Sequence, residues 1–191
     1  MKKVMFKLRM PVSKIPSYAK RYSYAGSDIA TDLPHLKRQI KKIKRLTRDQ
    51  LLTVCRWKAA RSASKTENNA PAYVKRITEF SFSTSNERAR VESLTLLDGV
   101  GWPTASTILH LFHGDKYPIL DFRALWSVGI KPPSKYSFDF WWQYTLFCRK
   151  LARKAGVRMR TLDKALWQYS KENQPARKAT KGPWPRKKGG Q

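Results

Sequence analysis

LDGVGWPTASTILHLFHGDKYPILD, residues 97–121, decides how this chain is read. Gly99 and Gly101 flank Val100, Pro103 follows, an apolar run extends to Phe112, and Asp121 closes the stretch. Upstream, NERARVESLTLL places Val91, Leu94 and Leu97 on one helical face. The whole therefore spells helix, short turn, helix. Glycines permit the positive φ values a tight turn needs, and proline suits the first turn of the helix that follows. Two readings of the turn stand. It is an αα-corner with glycines for sterics alone, or it lets a phosphate approach the backbone and meet the amides of a helix start. The second would hold DNA without reading its sequence.

The periodicity around this stretch is helical. Asp32 and Pro34 signal the start of PHLKRQIKKIKRL, and Thr47 with Gln50 forms a capping box before RDQLLTVCRWKAAR. Pro71 opens PAYVKRITEFSF, and Thr84 with Glu87 reads as a second capping box. FRALWSVG is a short helix, FDFWWQYTLFCRKLARKA a long one ended by Gly156, and Thr161 is the expected cap of LDKALWQYSKE. The predicted fold class is all-α, a two-lobed helical domain over 32–172. Residues 1–31 are expected to form a basic N-terminal arm, with a weak strand signal in VMFKLRM. Residues 173–191, rich in Pro, Gly and Lys, are expected to be disordered.

Charge bounds the partners. The chain carries 40 Lys+Arg against 13 Asp+Glu, a net +27, and the excess is shared by the tails and the middle. Such a field attracts polyanions, and nucleic acid is the expected one, bound with a strong salt dependence. The runs HLKRQIKKIKRL and RKLARKAGVRMR are candidate phosphate contacts or solvated faces. No apolar run is long enough to span a membrane. Two cysteines, Cys55 and Cys148, exclude a disulfide scaffold and a four-cysteine cluster. His110 and His113 lack a further zinc ligand, so no metal site is expected. Aromatic residues number 23, and enzymes that act on an extruded base stack it between such rings. Trp57, Trp141 and Trp142 are the base-pocket candidates, with Trp102 at the hairpin tip.

LDGVGWPTASTILHLFHGDKYPILDFRALW resembles the signature segment of the helix-hairpin-helix DNA glycosylase superfamily, most closely its adenine-mismatch branch. RWKAAR together with LDKALWQYSKE is similar to small bacterial proteins with an 8-oxoguanine-glycosylase-like fold. The resemblance implies a DNA glycosylase in which Asp121 is catalytic, while Asp121 is equally a good N-cap for FRALW. It implies DNA contacts from Gly99, Val100, Gly101, Trp102 and Thr104. Lys58, in RWKAAR, is read as a further phosphate contact, with entry into the pocket from the opposite lobe as a nucleophile the alternative. Bifunctional members attack the sugar with a lysine on the second hairpin helix. Pro103 stands at that position here, which implies a monofunctional enzyme that leaves an abasic site. The glutamate that protonates the departing adenine has no counterpart in RDQLLTVCRWKAAR. The excised base stays open between damaged bases and the modified bases of phage DNA.

The resemblance implies no cofactor beyond a monovalent cation at the hairpin. Double-stranded DNA is the implied partner, the state is monomeric, and the expected location is the bacterial cytoplasm, with the nucleoid. The alternative is a non-enzymatic helix-hairpin-helix DNA-binding protein; an RNA- or ribosome-associated protein is a third reading.

Overall fold

The computed structural model describes residues 3–24, 33–113 and 116–175. Among these residues the secondary structure is helical, with no strand, as the periodicity predicts. The helices are α1 (Ile15–Lys20), α2 (Leu33–Ile43), α3 (Arg48–Ala63), α4 (Pro71–Ser83), α5 (Glu87–Leu94), α6 (Trp102–Phe112), α7 (Phe122–Ser127), α8 (Phe138–Lys154) and α9 (Met159–Asn173).

Helix α6 is the axis of the fold. Every residue from Thr104 to Phe112 is buried, as expected of a helix that is apolar all round. Helices α2, α3 and α5 pack against it and α4 packs on α3 and α5, forming one lobe. In the other lobe α9 is flanked by α1, α7 and α8. Trp141 and Tyr144 of α8 are wholly buried in the core, together with Ile108 and Leu109.

Local signals set most of the boundaries. Thr47 and Gln50 form the reciprocal capping box at α3. Gly156, at φ +63, follows the end of α8. Two expected caps are corrected. At α5 the cap is Asn86, whose Oδ1 accepts from Ala89 N, and Thr84 Oγ1 instead accepts from Asn86 N. Helix α9 begins at Met159, two residues before Thr161, with no side-chain cap at Arg158.

The described part of the expected N-terminal arm is built into the domain. Lys7 N and Arg9 N donate to the carbonyls of Val128 and Ser127, and Val4 N donates to Gln143. Met10 and Ile15 are buried, and α1 lies along α9. The arm's basic composition concealed this: Phe6, Leu8 and Val12 pack against the core and Met10 and Ile15 are buried, while Met5 stays exposed among the lysines and arginines. Segment VMFKLRM runs extended along Ser127–Val128 without forming a strand. Gly26, Asp32 and the tail from residue 176 lie outside the described residues.

Candidate active site

The segment from Tyr117 to Asp121 returns from the far end of α6 and is held at each step by buried side chains. Leu120 N donates to Ser106 Oγ at 2.8 Å, and Ile119 N donates to Asp163 Oδ1 at 3.2 Å. Ile119 O accepts from Tyr144 Oη at 3.3 Å, and Tyr117 O lies 2.6 Å from His110 Nδ1. A short extended segment with its main-chain groups fixed this way delivers the next residue at a defined place.

That residue is Asp121. Its Oδ1 accepts from Arg123 N at 2.9 Å, so it does cap α7. Its Oδ2 accepts from Lys58 Nζ at 2.7 Å. Each carboxylate oxygen thus has a separate partner, and the capping role coexists with a lysine contact. The side chains are 12% (Lys58) and 17% (Asp121) exposed, which places the pair in a cleft and largely out of water.

Lys58 is aimed by a break in α3. Ala59, at φ −147 and ψ 58, is non-helical inside the helix. The carbonyl of Trp57 accepts from Tyr24 Oη at 3.1 Å, an intrusion of the kind that accompanies helix kinks. Lys58 is the last residue before the break.

Around the pair lies a cleft of about 450 Å³, part of it open to solvent, with Tyr22, Tyr24, Trp57, Arg160, Asp163 and Trp167 in its walls. The rings meet edge to face: Tyr22 with Trp167 at 5.3 Å, Tyr24 with Trp167 at 5.6 Å and Tyr24 with Trp57 at 5.9 Å. Arg160 lies over Tyr22 at 5.4 Å and donates to Asp163 Oδ2 at 3.0 Å. Burial pushes the Tyr22 hydroxyl above its ordinary range, against the pull of the Arg160 charge. It pushes Tyr136 the same way, and the nearby Asp121 charge adds to the effect. Both hydroxyls therefore stay protonated at neutral pH.

The hairpin turn is clamped to the last turn of α3 and to Asn69, which ends the short 3-10 segment Ser64–Asn68 that follows it. Asn69, buried, donates from Nδ2 to Asp98 O at 3.0 Å and accepts at Oδ1 from Asp98 N at 2.9 Å. Gly99 has φ +82, and a Cβ there would lie 2.8 Å from Ser62 O and from Thr66 Cγ2. Gly101 differs: its φ is −88, it is exposed, and the nearest atom to an added Cβ is Pro103 Cδ at 3.8 Å. The fold requires a glycine at 99 and gives no internal reason for one at 101.

Several expected contacts are corrected. Val100 is 5% exposed and its N–H donates to Leu97 O, so neither its side chain nor its amide faces outward. Thr104 is buried, with 2% exposure. Trp102 is half-buried and packs near Trp141 at 6.4 Å. Of the base-pocket candidates, Trp57 lines the cleft. Trp141 is a core residue, and Trp142 stacks on Phe138 away from the cleft. The Leu97, Asp98 and Gly99 carbonyls already accept from Val100, Asn69 and Ser62. Each of these carbonyl oxygens keeps a second lone pair, and the mechanism routes no step through a cation at the turn.

Sequence reasoning missed Tyr22, Tyr24, Asn69, Arg160, Asp163 and Trp167. The tyrosines stood in what read as an arm, and the α9 residues read as one face of an ordinary amphipathic helix. It also argued for monofunctionality from the lack of a lysine at position 103; the structure brings a lysine to Asp121 from a different helix.

No protein-family model matches the chain, and no curated protein matches it. Among solved structures the chain is similar to the 8-oxoguanine glycosylase/lyase of Methanocaldococcus jannaschii, crystallised with a 15mer DNA containing 8-oxoguanine. The two are 18% identical over 83% of this chain and 79% of that one, with a TM-score of 0.48.

Proposed function

We propose that this protein is a DNA glycosylase that removes a damaged or modified base from duplex DNA and leaves an abasic site. The observation that carries the reading is the Asp121–Lys58 contact beside an aromatic-walled cleft. Next to it in sequence is a hairpin whose exposed Gly101 the fold itself does not require.

The chemistry follows from the groups present. A base extruded from the stack enters between aromatic side chains, here Tyr22, Tyr24, Trp57 and Trp167. As the C1′–N bond breaks, its electron pair leaves with the base and positive charge develops on the sugar. The Asp121 carboxylate stabilises that charge and orients the attacking water, accepting its proton. The water oxygen bonds to C1′, and the departing base takes up a proton. Lys58, as an ammonium paired with Asp121, holds the carboxylate in place and is not itself a nucleophile in that state.

The Lys58–Asp121 contact also favours a second reading. Once its proton is passed on, the Lys58 amine attacks C1′ in place of water as the bond to the base breaks. The C1′–O4′ bond then opens, O4′ takes up a proton, and the C1′–nitrogen bond becomes a Schiff base, making the protein a glycosylase/lyase. Borohydride trapping separates the two, since a Schiff base yields a stable covalent adduct and hydrolysis yields none.

The central test is a panel of duplexes carrying oxidised, alkylated, deaminated and phage-type hypermodified bases, with abasic products cleaved by alkali. Release by the wild type, lost in Asp121→Asn with DNA binding retained, is the expected result. Equal release by that variant would remove Asp121 from the chemistry. Binding without release of any base would favour a non-enzymatic DNA-binding protein.

A further inference from the structure

The end of α6 remote from the hairpin opens onto a second surface. Lys116 follows that helix, Arg149 and Arg153 lie one turn apart on α8, and Arg158 precedes α9. Together they line a groove of about 790 Å³, part of it open to solvent, with Val157 among its apolar residues. Among the described residues no carboxylate lines it, and none of the ion pairs includes any of the four cations.

Arg149 is fixed in the groove wall. Its Nε donates to Lys116 O at 2.9 Å, and its guanidinium lies over the Tyr117 and Trp142 rings at 5.2 and 5.0 Å. Its Nη2 is buried and has no hydrogen-bond partner among the described residues. A planar guanidinium held by packing loses little freedom when it meets a planar or tetrahedral anion. Lys116, Arg153 and Arg158 are exposed around it.

We infer that this groove grips phosphates of the DNA backbone, as a second contact at the opposite end of α6 from the hairpin. At about 1.5 Å per residue, the 11 residues of α6 set the two ends roughly 16 Å apart. Four cations with no ion pair among the described residues repel one another in one groove and collect counterions, and a polyanion that displaces those counterions gains their release. This role for the groove rests on the reading of the protein as DNA-binding.

The test is the salt dependence of binding to an undamaged duplex, measured with the full chain. Each phosphate contact contributes about 0.9 to the slope of log K against log salt. Replacing Lys116, Arg153 and Arg158 by glutamine should therefore make the slope shallower by about 2.7. An equal charge removal at the exposed Lys7, Lys75 and Arg76 should leave it steeper than in the groove variant. An unchanged slope, or an equal loss in both variants, would overturn the proposal. If the triple variant melts early, Arg153→Gln alone keeps the test, with an expected change of about 0.9. Failure of base release, with the groove effect intact, would instead count against the glycosylase reading.

Discussion

Lys58 Nζ donates to Asp121 Oδ2 at 2.7 Å, joining α3 of one lobe to the residue that caps α7 in the other. The carboxylate's second oxygen is held by Arg123 N, so Asp121 is oriented from both sides before any ligand arrives. Removing a preorganised charge of this kind costs about 10²–10³ in rate. Asp121→Asn should therefore lower single-turnover base release by at least that factor, with duplex affinity within about threefold of wild type.

Lys58 separates the two chemical routes. Under hydrolysis, Lys58→Arg keeps a cation against Asp121 and retains much of the base release that Lys58→Gln loses. No borohydride adduct then forms with wild type. Under amine attack the wild type forms the adduct, and neither variant does, because neither side chain supplies the amine. Trapping on a duplex with a preformed abasic site reads this step independently of which base is the substrate.

The two hairpin glycines should respond differently to alanine. At Gly99 the left-handed backbone alone costs roughly 1–2 kcal/mol, and the Cβ meets Ser62 O and Thr66 Cγ2 at 2.8 Å. Melting should fall by about 2–4 °C per kcal/mol in a chain of this size. Gly101→Ala has room, so stability should stay within about 0.5 kcal/mol. Its DNA affinity should nevertheless fall about tenfold, the worth of one charge-assisted hydrogen bond of about 1.5 kcal/mol. Unchanged affinity would assign the turn to sterics alone.

Asp98 places an exposed carboxylate in the same turn. Its backbone N–H and carbonyl are both taken by Asn69, so the turn is held independently of the Asp98 side chain. Asp98→Asn should leave melting unchanged. It should also tighten duplex binding by about two- to fivefold, from relief of roughly 0.5–1 kcal/mol of exposed charge repulsion. Equilibrium binding at low salt checks this, and weaker binding would place the phosphate elsewhere.

Much of this was legible because it is local. The helix from Trp102 to Phe112, its proline start, and the Asp121 cap are written within a few residues of themselves. The kink that aims Lys58 was not, because the hydroxyl meeting Trp57 O comes from Tyr24, 33 residues away. Nor was the Lys58–Asp121 pair, separated by 63 positions, or the hold of Asp163 on Ile119 across 44. Periodicity reports which face of an element is apolar; it carries no information on which polar groups from distant elements converge at a cleft.

His113, stacked on Phe82 at 6.0 Å, gives the fold a pH dependence of known sign. Burial depresses its pKa below 6.5, and the Arg90 and Lys116 charges add to this against the opposing pull of Glu87. The unfolded chain therefore binds this proton at a higher pH than the folded one. Stability from this group is fully present above pH 6.5 and is lost as pH falls below it towards the folded pKa. Melting temperature should decline between about pH 7 and pH 5.5 at constant ionic strength. His113→Gln, which cannot take up the proton, should flatten that decline. An equally steep decline in the variant would place the titrating group elsewhere.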